Sequence, residues 1–269
     1  MDLDGARSYE RATSRHQLHH TAGSTRLVAG GTALYAIPLT TPSRLIGLSG
    51  MNWPAVELSD SGLDIAATCS IRELRQRVPQ SSFGYLVRCC ADALAAGPGV
   101  QSRATIGGNI CGALPAAAMV ALGAATDMTA LIWQPDGGQR TLPVTELVAG
   151  AGVTTLRPGE VLRSLTVTTA ALDATYAVRR VSLTPDARSA TLVIGTRWPR
   201  PSVRRTVSVT GAVAAPRVLE LNSATTDVVA GWPLRVWLDD TDGSARWRRG
   251  VTLAFVGDIL DEMADPDCA

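Results

Sequence analysis

The chain has 269 residues, enough for one large or two modest domains, and its 46% apolar and 18% charged content is that of a chain that buries its own core. With 25 basic and 24 acidic residues the formal net charge is +1, so no global field favours nucleic acid or an anionic membrane. Every basic residue is arginine, and the lack of lysine removes Walker-type phosphate loops, Schiff-base chemistry and pyridoxal phosphate attachment.

Histidine occurs only as His16, His19 and His20, inside a polar N-terminal segment, so the body of the chain cannot supply the imidazole of a Ser-His-Asp or Cys-His centre. The cysteines, Cys69, Cys89, Cys90, Cys111 and Cys268, form no C-x-x-C pair and no spacing suited to zinc or an iron–sulfur cluster. No metal site is assigned, and no catalytic side chain stands out. An uninterrupted apolar run of 18 or more residues is missing and no signal-peptide pattern opens the chain, so no membrane insertion and a cytoplasmic location are expected.

In chain order, a polar leader is expected over 1–24, then a short strand over 26–29 that runs into Gly30, Gly31 and Thr32. Short apolar strands follow at 44–48, 55–58 and 63–68. A helix starts at Ser70, where the S-x-x-E of Ser70 and Glu73 forms a capping box. A second helix is expected over 84–96, the Gly97-Pro98-Gly99 breaker ends it, and 101–111 reads as a loop flanked by small residues. The alanine-rich run 110–125, broken by Pro115, reads as a buried helix. Strands at 128–134 and 162–168 flank an Asp136-Gly137-Gly138 hairpin turn and the turn at Arg157-Pro158-Gly159-Glu160. Beyond about residue 171 the texture changes to β-branched runs at 192–196 and 206–213, and a helix over 245–263 closes the chain.

Of three Gly-Gly pairs, Gly137-Gly138 is accounted for by its hairpin. In Leu27-Val28-Ala29-Gly30-Gly31-Thr32-Ala33-Leu34 the paired glycines leave a strand. There they permit positive φ and a close ligand approach, and successive amides can form an anion nest suited to a pyrophosphate in a chain without lysine. A plain tight turn explains the same residues equally well. In Ala104-Thr105-Ile106-Gly107-Gly108-Asn109 the glycines lie between two short polar side chains that can bind phosphate, ribose or the loop itself.

Together these segments resemble the FAD-binding medium subunit or domain of the molybdenum hydroxylases, the xanthine dehydrogenase and carbon monoxide dehydrogenase flavoproteins. The resemblance rests on LVAGGTAL at 27–34, AAGPGVQSRATIGGNI at 95–110, the following Pro115, LGA at 122–124 and RPGEVL at 157–162, in the family's order and spacing. It implies an α+β fold: a PCMH-like FAD-binding domain of two subdomains over 25–170, then a small C-terminal domain of antiparallel strands and helices over 171–269. It implies FAD as cofactor, with Leu27, Val28, Ala29, Gly30, Gly31, Thr32, Ala33 and Leu34, and Ala104, Thr105, Ile106, Gly107, Gly108 and Asn109, along the pyrophosphate and ribose. Ala95, Ala96 and Val100 would lie close to the cofactor, Leu162 would touch the isoalloxazine, and Arg179 would stand near a position often held by lysine. Two departures are plain: Ala33 stands where relatives are frequently acidic or polar, and Ala118 where an aspartate is usual.

The implied activity is that of an FAD-dependent oxidoreductase subunit relaying electrons between a partner's iron–sulfur clusters and a small-molecule acceptor, with an iron–sulfur subunit and a molybdopterin subunit as partners. The alternative from another assembly class is a stand-alone flavin enzyme, or a flavin-free descendant, that tailors a small molecule in specialised metabolism. A binding or scaffold protein that retains the fold alone is the non-enzymatic reading.

Overall fold

The structure, a computed structural model, describes residues 6–18, 25–36, 43–202 and 204–264. Strands β1 (Ala6–Arg11), β2 (Thr25–Val28) and β3 (Ser43–Gly47) form a parallel sheet in the order β1-β3-β2, with helix α1 (Thr32–Ala36) between β2 and β3. Residues 6–11 were expected in the leader. Their polar composition is that of an edge strand exposed along most of its length, which composition alone reads as tail. His16 lies in a 3-10 turn, Arg15–Leu18, whereas His19 and His20 fall outside the described residues.

An antiparallel five-stranded sheet follows, built from β4 (Val56–Ser59), β5 (Gly62–Ala66), β6 (Thr129–Trp133), β7 (Gln139–Pro143) and, after the small hairpin β8 (Val148–Gly150) and β9 (Val153–Thr154), β10 (Val161–Thr168). Its order is β4-β5-β10-β6-β7. Leu63, Ile65, Ala130, Ile132, Leu165 and Val167 alternate onto one face and meet a helical layer. That layer contains α2 (Ile71–Arg77), α3 (Ser82–Ala93), the single turn α4 (Pro98–Gln101), α5 (Ile106–Gly112), α6 (Ala118–Ala125), α7 (Val144–Leu147) and α8 (Thr169–Leu172). Ser70 caps α2 as its spacing predicts, accepting from the Glu73 amide at 3.1 Å. All eight residues of α6 are buried, because its small side chains let neighbours approach from every side.

The C-terminal part is a meander of β11 (Thr175–Val181), β12 (Thr191–Arg197), β13 (Arg205–Thr210) and β14 (Arg217–Glu220), with α9 (Thr225–Ala230) and α10 (Ala245–Glu262). Strand β12 is buried on both faces. Leu192 and Ile194 join the core of the helical layer, and Thr196 Oγ1 donates to the Ala125 carbonyl at 2.8 Å. Val193 instead packs in a second core with Val256 and Ile259 of α10. Helix α10 is tied down by guanidinium groups. Arg197 and Arg205 each donate to the Met263 carbonyl at 2.8 Å, satisfying a helix end that has no intrahelical donor. Arg248, 1% exposed, donates to the carbonyls of Ala190, Gly211 and Gly243 and to the Asp240 carboxylate.

The two sheets of the first part meet at a seam of arginine and tryptophan. Trp53 and Trp133 stand edge to face with centroids 5.4 Å apart, Arg163 lies 4.6 Å over Trp53, and Arg15 lies 4.7 Å over Trp133. Ile46, Leu48 and Leu18 bury against Val161 beside them. Burial lowers the Arg163 pKa from its ordinary value, against the pull of Glu57 and Asp64, and leaves the group charged. The RPGE turn has its own ion pair: Arg140 grips Glu160 through Nε at 2.8 Å and a terminal nitrogen at 2.7 Å, and Glu160 also accepts from the Arg157 amide at 2.8 Å.

Three outcomes test this account. Arg248→Met orphans buried carbonyls and is expected to cost roughly 2–4 kcal/mol in urea unfolding. Arg163→Ala removes the stacked cation from the seam, and a loss of about 1–2 kcal/mol is expected. The Arg140 hydrogen bond holds Glu160 below its ordinary value near 4.5, with the Arg157 amide adding to it and burial opposing. The stabilisation is therefore full above that value and fades as pH falls through the depressed one. Glu160→Gln should flatten the stability curve below about pH 4.5, measured as Tm against pH.

Candidate functional site

The first glycine pair is required for two different reasons. Gly31 has φ +74°, in the left-handed region. Gly30 has no space for a side chain: a Cβ there would lie 1.7 Å from the Arg103 carbonyl oxygen and 3.3 Å from the Ala104 Cα. The two glycine-rich segments, more than 70 residues apart in sequence, therefore touch backbone to backbone. Leu27 and Val28 end β2, Ala29 to Gly31 make the turn, and Thr32, Ala33 and Leu34 open α1. Among the described residues no acceptor is recorded for the amides of Gly31, Thr32 and Ala33, the donors that a helix start leaves over.

The second segment departs from the expected open loop. Thr105 is the N-cap of α5, and each amide that a nest would use already has an acceptor. Ile106 donates to the Cys69 carbonyl at 3.0 Å, Gly107 to Ala67 at 3.0 Å, Asn109 to Thr105 at 3.0 Å, and Gly108 to Thr105 Oγ1 at 3.0 Å. This segment therefore offers no anion nest, because the start of α5 docks on the turn that follows β5 and is satisfied there. Gly107 serves that docking, since a Cβ would lie 2.5 Å from the Ala67 Cβ. Gly108 is exposed, and a Cβ on it would crowd only Thr105 Oγ1, at 2.9 Å. Asn109 is also structural in part: its Oδ1 accepts from the Met119 amide at 2.9 Å and caps α6, a helix that begins at the buried Ala118.

Most of the predicted residues share one neighbourhood. Ala104 donates to the Val100 carbonyl at 2.7 Å, and the Ala96 carbonyl accepts from Gln101 Nε2 at 2.9 Å. Val100 is exposed and Ala95 takes a positive φ of 55°. Ala67, the residue under Gly107, donates to the Arg163 carbonyl at 3.0 Å, which brings β10 and Leu162 alongside. Leu162 itself is 4% exposed, inside the core. Arg179 stands apart. It pairs with Glu262 at 2.6 Å and Asp258 at 3.8 Å on α10, and no recorded contact links it to either glycine segment. Strand alternation explains this, since Tyr176 and Val178 turn to the helical layer and Arg179 turns away.

Sequence reasoning missed the Arg103 carbonyl as the surface that excludes a side chain at Gly30, and backbone proximity of that kind leaves no sequence signal. The T-x-x-G spacing of Thr105 and Gly108 was a signal for the N-cap. Burial pushes the thiols of Cys69 and Cys111 up to about 12 and that of Cys90 higher, so these three stay protonated. No group of three or more His, Cys, Asp or Glu suited to a metal ion occurs among the described residues.

Residues 6–170, well over half of the chain, match the family described as the FAD binding domain in molybdopterin dehydrogenase. No curated protein sequence matches significantly. Several solved structures share the fold. A chain of carbon monoxide dehydrogenase from Hydrogenophaga pseudoflava, in a form lacking the Mo-pyranopterin moiety, superposes with a TM-score of 0.81 at 20% identity, over 94% of this chain and 96% of that one. Reconstituted CO dehydrogenase from Oligotropha carboxidovorans gives 0.81 at 20%, over 94% and 96%. Quinoline 2-oxidoreductase from Pseudomonas putida 86 gives 0.77 at 18%, over 95% and 95%. The α+β fold expected from the resemblance is the fold found, and the chain belongs to the family of FAD-binding domains of molybdopterin dehydrogenases, with FAD as its cofactor.

Proposed function

We propose that this chain is the FAD-carrying component of an oxidoreductase assembly, passing electrons between the iron–sulfur clusters of a partner chain and a small-molecule acceptor. The observation that supports the reading is the contact of Gly30 with Arg103 and Ala104, which joins the two glycine segments that the sequence resemblance assigns to the cofactor. FAD, when bound, supplies the exchange between paired and single electrons.

The residues present fit that group. The amides of Gly31, Thr32 and Ala33, which find no acceptor among the described residues, would take the diphosphate, offsetting its charge without a cation. Gly108, exposed and bare, would let the dinucleotide pass close to α5, with Thr105, Ile106, Gly107 and Asn109 holding that helix start in place. Ala96, Val100 and Ala104 would form the wall beside the dinucleotide, whereas Leu162, expected against the flavin ring, is covered by the protein's own core and falls outside this set. Arg179, paired with α10, falls outside this set. The iron–sulfur and molybdopterin groups are assigned to separate chains, since two of the four described cysteines, Cys69 and Cys90, are buried, and no group of three or more His, Cys, Asp or Glu suited to a metal ion occurs among the described residues.

The purified chain is expected to carry an absorption band at about 450 nm and to co-purify with an iron–sulfur and a molybdopterin chain from its native host. A colourless protein that takes up no added FAD would sink the reading. Gly30→Ala forces the Arg103 carbonyl away and should weaken FAD binding roughly 100-fold, with far-UV circular dichroism retained. Gly108→Val should also lower flavin occupancy, both by crowding Thr105 and by filling the surface next to α5. Flavin content equal to the parent in both variants would remove the glycine segments from the site.

A further inference from the structure

The C-terminal part carries a cleft of about 440 Å3, lined by Trp232, Leu234, Arg246 and Arg249. That volume lies in the range of small-molecule sites. Arg246 and Arg249 are three residues apart on α10 and so share a face, while Trp232 and Leu234 come from the stretch that follows α9. The Trp232 ring is held from behind: Arg217 of β14 lies 4.8 Å from its centroid, and Trp237, itself buried, lies 5.5 Å away at 39°. Arg249 is anchored by a 2.7 Å bond to the Ala230 carbonyl.

The cations here lack counter-charges. Elsewhere Arg179 pairs with Glu262, Arg188 with Asp242, and Arg204 with both Asp127 and Glu220. Among the described residues no carboxylate lies within 4.0 Å of Arg217, Arg246 or Arg249. Three guanidinium groups gathered round a partly exposed indole and an exposed leucine leave one kind of complement: negative charge beside a flat apolar surface. All the residues involved follow residue 216, and none contributes to the glycine-segment site.

We propose that this cleft binds a small organic anion that carries a planar ring, with the ring against Trp232 and Leu234 and the anionic group against Arg246 and Arg249. A nucleoside monophosphate and an aromatic carboxylate share this chemistry. The test is calorimetric titration of the full chain, loaded with FAD so that the glycine segments are occupied, with adenosine monophosphate, benzoate and inorganic phosphate in turn. Saturable binding of one organic probe is expected, and which of the two binds names the source. Arg246→Gln and Arg249→Gln should each weaken it about tenfold, and the double variant should abolish it while its circular dichroism stays that of the parent. The inference is overturned if neither organic probe binds saturably or if binding persists in the double variant. It is equally overturned if inorganic phosphate binds as tightly as adenosine monophosphate. Running the same titration without FAD separates the two sites, because a failure of flavin loading leaves the response of the arginine variants unchanged.

Discussion

A single backbone contact organises the first two-thirds of this protein. The Arg103 carbonyl sits where the side chain of residue 30 would be, so the turn after β2 and the approach to α5 can close only over a glycine. Everything proposed for the cofactor depends on that closure. It brings the turn that opens α1 against the residues that lead into α5, although the two belong to distant stretches of chain. The seam of Trp53, Trp133, Arg15 and Arg163 then holds the two sheets in register behind the contact.

The two glycine segments turn out to work by different physics. In the first, the amides of Gly31, Thr32 and Ala33 find no acceptor among the described residues. In the second, the amides are all engaged by the protein, and the glycines supply room instead of donors. In the proposed site, charge neutralisation of a diphosphate would thus fall to one turn, and shape to the other. Asn109 and Thr105, which read as ligand-binding side chains, are mainly helix caps that fix where α5 and α6 begin.

Much of this was legible in the residues. The strand before Gly30, the helix cap at Ser70, the hairpin at Gly137 and the long C-terminal helix each follow from local rules of turn chemistry and periodicity, and each is found close to its expected bounds, although Glu73 pairs with Arg77 and does not complete a capping box. What was not legible is tertiary. Strand β1 hides in polar sequence because an edge strand needs little apolar surface, and α5 hides in glycine-rich sequence because docking outweighs propensity. Arg179 could be placed near the flavin by family analogy, but strand alternation turns it towards Glu262. The arginine-rich cleft beside Trp232 could not be seen at all, since its members become neighbours only when β14, the end of α9 and the start of α10 converge.

Helix α6 has no solvent face, and its last carbonyl-bearing turn is bonded by Thr196 from the C-terminal sheet. The two parts of the chain are thus welded through a shared wall of alanine, leucine and methionine. A protease that cut near residue 171 would leave an N-terminal piece whose central helix is laid bare along the side that β12 and β13 now cover. Such a piece would be prone to clump, so the molecule should lose its structure in a single cooperative step and not one half at a time.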